Sequence, residues 1–90
     1  MILTVHFSTK VKKDLKRFPP DGSDFKQIKA VVKKLKNNEK LPKNFRDHKL
    51  KGKYAHHREC HINPDLLLIY KIDGEKLILT RIGSHSELFR

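Results

Sequence analysis

The sequence has little of several things that would define a protein class. It contains one cysteine, no tryptophan and only 10 acidic residues. A single cysteine, Cys60, cannot form an internal disulfide, which excludes a disulfide-stapled fold and favours a reducing compartment. No apolar run approaches the roughly 20 residues that a membrane-spanning helix needs, and no basic leader precedes an apolar segment at the N-terminus. We therefore expect a cytoplasmic protein with no membrane partner.

The sequence contains 21 lysines and arginines against 10 acidic residues, which gives a formal net charge of +11. Such an excess attracts polyanions, nucleic acid foremost. A solubilising coat, or an interface for an acidic protein, would explain the same charge. With 90 residues the chain can bury only one core, and residues 1–90 are predicted to form a single domain.

Hydrophobic periodicity predicts an α+β fold with its helices near the N-terminus. A short strand over residues 2–7 leads to Ser8, which we expect to cap a basic amphipathic helix that ends at Pro19-Pro20. Ser23 or Asp24 is the expected cap of a second helix, and a loop over residues 37–47 follows it.

Beyond this loop the apolar period changes from helical spacing to two. The predicted strands cover residues 48–50, 54–62, 66–72 and 76–82, with Asp73-Gly74 as a hairpin turn. Ser84 and Glu87 have the spacing of a capping box, which predicts a short C-terminal helix. We expect the two N-terminal helices to pack on one face of a twisted antiparallel sheet.

Polar residues crowd the segment from Arg58 to Asp65, immediately before the apolar run Leu66-Leu67-Leu68-Ile69-Tyr70. Alternation along a strand puts Glu59 and His61 on the same face, and the last strand is expected to bring Arg81 and His85 close to the turn at Asp65. Imidazoles, a carboxylate and guanidinium groups are what RNA cleavage without a metal requires. They supply a base for the 2′-hydroxyl, an acid for the departing 5′-oxygen and cations for the phosphate. Histidine suits the first two roles because its ordinary pKa is about 6.5.

Several of these residues also have simpler explanations. A zinc site built from His56, His57, Cys60 and His61 is disfavoured, because neighbouring strand residues point apart and no Cys-x-x-Cys pair is present. Arg58 would serve equally well as a phosphate ligand or as an ion-pair partner of Glu59 or Asp65.

Three stretches of the sequence resemble the YafQ branch of the RelE superfamily of bacterial toxins. They are Asp47-His48-Lys49-Leu50-Lys51-Gly52, the segment from Arg58 to Lys71, and Arg81-Ile82-Gly83-Ser84-His85-Ser86-Glu87-Leu88-Phe89. The resemblance implies the compact fold of microbial ribonucleases and a toxin of a type II toxin-antitoxin pair. It also implies an enzyme that enters the ribosomal A site and cleaves mRNA there, with no metal or other cofactor.

By position, the resemblance implies a catalytic set of His48, His61, Asp65 and His85. Of these, His85 is expected to act as general acid, His48 or Asp65 as general base, and His61 to hold the phosphate. The residues expected to contact the phosphate or the RNA are Arg81, Arg58, Lys49, Lys51 and the aromatic Phe89. The sequence departs from the family at Leu66, where the family has a tryptophan after the aspartate, and this departure puts a stacking contribution at that position in doubt.

The resemblance further implies an acidic, partly disordered antitoxin of the RelB or DinJ type, for which the basic helix from Lys10 to Lys16 is a suitable surface. In such pairs the complex binds operator DNA. The main alternative function is a non-catalytic inhibitor that blocks translation by binding RNA or the ribosome. A protein whose charge serves only an acidic partner is a third. Only the enzyme leaves RNA fragments with 2′,3′-cyclic phosphate or 3′-phosphate ends.

Overall fold

The computed structural model describes residues 1–89 of the chain. Its helices are α1 (Thr9–Leu15), α2 (Ser23–Lys36) and α3 (His85–Leu88), and its strands are β1 (Thr4–Phe7), β2 (His48–Lys49), β3 (Arg58–Asn63), β4 (Leu66–Asp73) and β5 (Lys76–Gly83). Short 3-10 segments flank β2, at Lys43–Phe45 and Gly52–Tyr54. This arrangement confirms the predicted α+β class.

Across residues 1–89, no helix combines the length and apolar character required to span a bilayer.

The five strands form one sheet in the order β1-β5-β4-β3-β2. Strands β2 to β5 are an antiparallel meander, as predicted, and Gly74 takes a left-handed φ of 61° in the β4–β5 hairpin. The expectation of a wholly antiparallel sheet is wrong for β1, which runs parallel to β5. Parallel partners need a long crossover between them, and here the helices and three strands intervene, so no local turn signal could reveal the pairing.

The predicted helix boundaries need two corrections. Ser8 caps α1 as expected, its Oγ accepting a hydrogen bond from the Val11 amide at 2.9 Å. However, α1 ends at Leu15, because the amides of Arg17 and Phe18 bond three residues back in a tighter turn before the prolines. Helix α2 begins at Ser23 itself, with Gly22 as its N-cap and no side-chain cap bond.

Strand β3 begins at Arg58, later than the predicted residue 54. Gly52 and His56 both have left-handed φ values, 68° and 69°, which interrupt an extended chain. Tyr54 therefore lies in a 3-10 turn rather than in the strand.

The sheet buries apolar residues on both faces, but unequally. On the face toward α1 and α2 lies the larger cluster, formed by Leu3, Val11, Ile28, Val31, Leu35, Leu41, Cys60, Ile62, Leu66, Leu68, Tyr70, Leu77, Leu79 and Ile82. The opposite face carries a smaller cluster of Tyr54, Leu67, Ile69 and Leu88. Outside the strands, this second cluster receives side chains from the short helix α3, from Tyr54 and from Leu50, so the face is covered by short segments and not by a long helix. We call it the open face.

Candidate active site

Strand register aligns a row of polar residues across the open face. His48 of β2 lies opposite Glu59 of β3, Glu59 lies opposite Ile69 of β4, and Ile69 lies opposite Arg81 of β5. Directly paired residues point to the same face, and Ile69 belongs to the open-face cluster. His48, Glu59 and Arg81 therefore project from one side of the sheet.

Glu59 holds a buried carboxylate between two imidazoles. Its Oε1 lies 3.5 Å from Nε2 of His48 and 3.6 Å from Nε2 of His61, and the residue is only 4% exposed. Within residues 1–89, its second oxygen, Oε2, has no hydrogen-bond partner. A buried carboxylate that lacks full hydrogen bonding costs stability. Because stability alone does not account for this buried carboxylate, we interpret Glu59 as a functional residue.

The ring of His48 is fixed from two directions. Its Nδ1 lies 2.6 Å from the carbonyl oxygen of Arg46, and since a carbonyl only accepts, Nδ1 is the donor. Nε2 is then the nitrogen that gains or loses a proton, and it faces Glu59. The side chain of His48 is 50% exposed, so a substrate can reach it.

Helix α3 positions His85 at its first residue. The predicted capping box is present: the Ser84 Oγ accepts from the Glu87 amide at 3.3 Å, and Glu87 Oε1 accepts from the Ser84 amide at 2.8 Å. Glu87 also forms an ion pair with Arg17 of the turn after α1. The Ser84 amide and the Arg17 guanidinium lower the pKa of Glu87 to about 2. With Leu88 buried beneath it, this single helical turn is anchored at both ends.

His85 shares a depression with two other predicted catalytic residues. The depression has a volume of about 390 Å³, and its lining residues are His61, Pro64, Asp65, Leu67, Ser84, His85 and Ser86. We call it the His85 depression. His61 thus borders both Glu59 and this depression, and the structure brings all four predicted catalytic residues to one continuous region.

Phe89 lies beside His85, with ring centroids 4.9 Å apart and planes inclined by 33°. Its other neighbour is Tyr54, whose ring meets it edge-on at 5.7 Å. Phe89 is 36% exposed, so part of its ring surface remains open to a base, as aromatic residues at RNA sites often are.

Arg81 has a partner that the sequence did not indicate. Its Nε and Nη2 donate to the two carboxylate oxygens of Asp14 at 2.7 and 3.1 Å, and this bidentate contact raises the pKa of Arg81. Two of the three guanidinium nitrogens are therefore committed to α1. The prediction that Arg81 meets the phosphate depends on the third.

Three of the predicted RNA contacts lie elsewhere. Arg58 and Lys49 are paired on the face opposite to Glu59, and Lys51 is exposed just before the Gly52–Tyr54 turn. Arg58 Nε donates to Asp47 at 3.1 Å. The alternative of an ion pair with Glu59 or Asp65 is therefore wrong: the partner is Asp47, and successive strand residues point to opposite faces, which directs Arg58 away from Glu59. The structure does not bring Arg58 or Lys49 to the open face, and a role for them in binding RNA stays a prediction.

Cys60 is fully buried, and burial raises the pKa of its thiol to about 12. The thiol is therefore protonated and behaves as a small core side chain.

Sequence reasoning missed two carboxylates in this region. The alternation along β3 already put Glu59 on the same face as His61, and this shared face was the sequence signal that the Glu59 carboxylate lies beside the imidazole. Asp14 sits at helical spacing among the apolar positions Val11, Leu15 and Phe18, and an acidic residue on such a stripe indicates a buried partner.

Comparison with known proteins gives one consistent family. Residues 3–90 match the family model described as "Bacterial toxin of type II toxin-antitoxin system, YafQ". The mRNA interferase toxin YafQ of Escherichia coli K12 is 34% identical over 86 residues, which cover 94% of each chain. The crystal structure of the E. coli DinJ-YafQ toxin-antitoxin complex contains a chain that is 32% identical with a TM-score of 0.87, and the match covers 100% of both chains.

A second structural relative comes from Helicobacter pylori. It is described as a metal-bound toxin, is 44% identical with a TM-score of 0.85, and the match covers 99% of this chain and 100% of that one. Over residues 1–89 of the present chain, no three His, Cys, Asp or Glu side chains are arranged to hold a metal ion. The donor set does not fit a metal site, and we assign no catalytic step to a metal.

Proposed function

The chain belongs to the YafQ family of toxins from bacterial type II toxin-antitoxin systems, and on that premise we propose that it inhibits translation as an mRNA endoribonuclease. The observation that carries the proposal is the gathering of His48, His61 and His85 around two carboxylates on the open face. Imidazoles at two ends of one region allow a base and an acid to act on opposite sides of a phosphate.

The cleavage reaction needs only these side chains and the RNA. The general base takes the proton of a ribose 2′-hydroxyl, and the resulting oxygen attacks the adjacent phosphorus. The bond from phosphorus to the 5′-oxygen breaks as the general acid gives that oxygen a proton. The products are a 2′,3′-cyclic phosphate and a 5′-hydroxyl.

We assign His48 as the base and His85 as the acid. His48 has a fixed ring and a half-exposed side chain, as a base needs, and the Glu59 carboxylate 3.5 Å away stabilises the cation formed on proton transfer. Asp65 is the alternative base, since it lines the His85 depression. His61 lies between the two ends, where it can contact a phosphate oxygen, and the remaining nitrogen of Arg81 would assist it.

The proposed substrate is mRNA in the ribosomal A site, which places the protein in the cytoplasm. Because YafQ is found in a complex with DinJ, we propose that a cognate acidic antitoxin of the RelB or DinJ type neutralises this chain. Lysines 10, 12, 13 and 16 are exposed along α1 and its end, and they offer a cationic surface to such a partner. Binding of operator DNA by the resulting complex is part of the same proposal.

The test compares the wild type with His85→Ala, and uses His6→Ala as a control that alters an exposed histidine on β1. We expect the wild type and His6→Ala to cut mRNA and leave cyclic or 3′-phosphate ends. His85→Ala should fold and bind but cut at least about a hundredfold more slowly. Reactions with and without ribosomes establish whether the ribosome is required.

Two results would overturn the assignment. A folded His85→Ala variant with full activity would remove His85 from the acid role. A wild type that stops translation without producing new RNA ends would establish the non-catalytic alternative instead.

A further inference from the structure

Asp47 connects the segment that carries His48 to two inner strands of the sheet. Its Oδ1 accepts a hydrogen bond from Nε of Arg58 at 3.1 Å and from the hydroxyl of Tyr70 at 2.7 Å. Arg58 and Tyr70 lie opposite each other in the pairing of β3 with β4, and both point toward α1 and α2, where Tyr70 joins the larger apolar cluster. We call Asp47, Arg58 and Tyr70 the Asp47 network.

Tyr70 is the stronger of the two constraints on Asp47. It is only 1% exposed, and burial, together with the Asp47 carboxylate, raises the pKa of its hydroxyl. The hydroxyl therefore stays protonated and donates to a charged acceptor, which is a stronger bond than one between neutral groups. The Arg58 side chain is 36% exposed, so water weakens its ion pair.

The segment that carries His48 is short and lies at the edge of the sheet. Strand β2 has two residues and is the last strand in the order, and the Leu50 amide extends its pairing by donating to the His57 carbonyl at 3.0 Å. Just before β2, Arg46 has φ 49° and ψ 40°, in the left-handed region that arginine rarely adopts. Such a conformation persists where the surroundings fix it. Asp47 follows Arg46 directly, and its anchored side chain supplies that constraint.

The residues on both sides of Asp47 determine the state of the proposed base. The Arg46 carbonyl oxygen lies 2.6 Å from Nδ1 of His48, which keeps the proton of the neutral ring on Nδ1. Nε2 is then free to accept the proton of the 2′-hydroxyl. Because the hydrogen bond at one ring nitrogen sets the proton at the other, loss of the carbonyl contact would populate the tautomer that has its proton on Nε2. That tautomer cannot act as a base at Nε2.

Building on the proposed cleavage reaction, we propose that Asp47 is a positioning residue for His48, with Tyr70 and Arg58 acting through it. The network holds the Arg46 carbonyl against Nδ1 and thereby keeps Nε2 of the neutral ring unprotonated. It does so from the face opposite to Glu59, with no contact to the RNA. This gives Arg58 a role on the side of the sheet where the structure places it.

The experiment compares three variants of the network with a matched control. Asp47→Ala removes the acceptor, Asp47→Asn keeps an oxygen for the Tyr70 hydroxyl, and Tyr70→Phe removes only that hydroxyl. Asp21→Ala deletes an exposed aspartate in the turn before α2 and controls for the change in charge. Cleavage of mRNA, with ribosomes if they are required, gives kcat and KM. Nitrogen-15 NMR of the ring of His48, well above the ordinary histidine pKa of about 6.5, gives its tautomer.

We expect Asp47→Ala to lower kcat by about ten- to a hundredfold with little change in KM, because a small displacement of a catalytic group has an effect of that size. The ring of His48 should change from the Nδ1–H tautomer to a mixture of both. Tyr70→Phe and Asp47→Asn should show the same changes to a smaller extent. Asp21→Ala should retain the kcat and the tautomer of the wild type.

A double variant tests whether Tyr70 acts through Asp47. Adding Tyr70→Phe to Asp47→Ala should cause no further loss of kcat, whereas two independent losses that multiply would refute the network. Arg58→Met separates positioning from RNA binding. A lower kcat at unchanged KM supports the proposal, while a raised KM with a weaker salt dependence of binding would instead make Arg58 an RNA contact and remove it from the network.

The proposal is refuted if folded Asp47→Ala retains the wild-type kcat, or if kcat falls while the tautomer of His48 stays the same. If Asp47→Ala does not fold, Tyr70→Phe decides by the same two measurements. If the wild type cleaves no RNA, the proposed function fails. The tautomer of His48 in the wild type and in Tyr70→Phe then decides by itself whether the network positions the ring.

Discussion

Asp14 joins α1 to the edge of the sheet and holds Arg81, and we expect its removal to destabilise the whole domain. Strand β1 pairs with β5 only as far as Leu79, so the rest of that edge needs other partners. The Asp14 carboxylate accepts from the Ile82 amide at 3.0 Å as well as from Arg81. One side chain therefore satisfies a backbone amide and a guanidinium.

The magnitude follows from the burial of the pair. Removing one partner of a buried ion pair costs about 3–5 kcal/mol, because the other charge is left without compensation. Asp14 is 7% exposed and the Arg81 side chain 19%, so water recovers part of that cost, and we expect about 3 kcal/mol for Asp14→Ala. At about 4–8 °C per kcal/mol for a domain of this size, Tm should fall by roughly 12–24 °C. Asp14→Asn retains an oxygen for the Ile82 amide and should lose about half as much.

Thermal and urea denaturation of Asp14→Ala, Arg81→Met and the double variant measures the coupling. If the two side chains stabilise the fold mainly through each other, the double variant should be less destabilised than the sum of the single variants, by about 2 kcal/mol. A loss below about 1 kcal/mol for Asp14→Ala, or strictly additive losses, would refute the argument. Cleavage assays below Tm separate the two roles of Arg81: a phosphate contact predicts that Arg81→Met loses more activity than Asp14→Ala.

Two further predictions concern the other carboxylates. Glu59→Gln keeps the shape of the side chain but removes the charge beside two imidazoles, so we expect kcat to fall by about a hundredfold because the imidazolium formed on proton transfer loses its stabilising charge. Because a buried, incompletely bonded charge is lost, Tm should be unchanged or higher; an active variant with a lower Tm would contradict this. The folded-state pKa of Glu87 is depressed to about 2, so its stabilisation of α3 is present above the ordinary glutamate pKa of about 4.3 and is lost as pH falls from there toward 2. The protection factor of the Leu88 amide, its exchange rate relative to the intrinsic rate at the same pH, should fall over that interval in the wild type but not in Glu87→Gln, and equal profiles would refute the assignment.

The parts of the fold that the sequence predicted correctly are those specified by local chemistry. The cap at Ser8, the box formed by Ser84 and Glu87 and the turn at Gly74 each depend on residues within a few positions of one another. The pairing of β1 with β5 joins residues about seventy positions apart, and no turn residue specifies it. The left-handed φ of His56, which shortens β3, has no residue-type signal either, because histidine adopts that region only occasionally.

In the candidate site, too, features set by local sequence were predictable and contacts between distant elements were not. Alternation along β3 correctly separated Glu59 and His61 from Arg58, and the order of the meander placed His48 and His85 near them. The partners of the arginines were not predictable, because Asp14 reaches Arg81 only after α1 crosses the edge of β5. For Arg58 the sequence suggested Glu59 or Asp65 where the structure has Asp47, and for Arg81 it suggested the phosphate and no carboxylate.

The two faces of the sheet divide the work between them: one mainly stabilises the fold, and the other carries the proposed catalytic residues. The helix-covered face buries most of the apolar side chains, and it supplies most of the hydrophobic stabilisation. The open face has a smaller apolar cluster and carries the buried carboxylate of Glu59, whose Oε2 has no hydrogen-bond partner among residues 1–89. A domain of this size has only a few kcal/mol of net stability, so the free-energy cost of burying the Glu59 carboxylate has to be offset elsewhere. The hydrophobic core on the helix-covered face offsets it, and the carboxylate then supplies a negative charge beside His48 and His61.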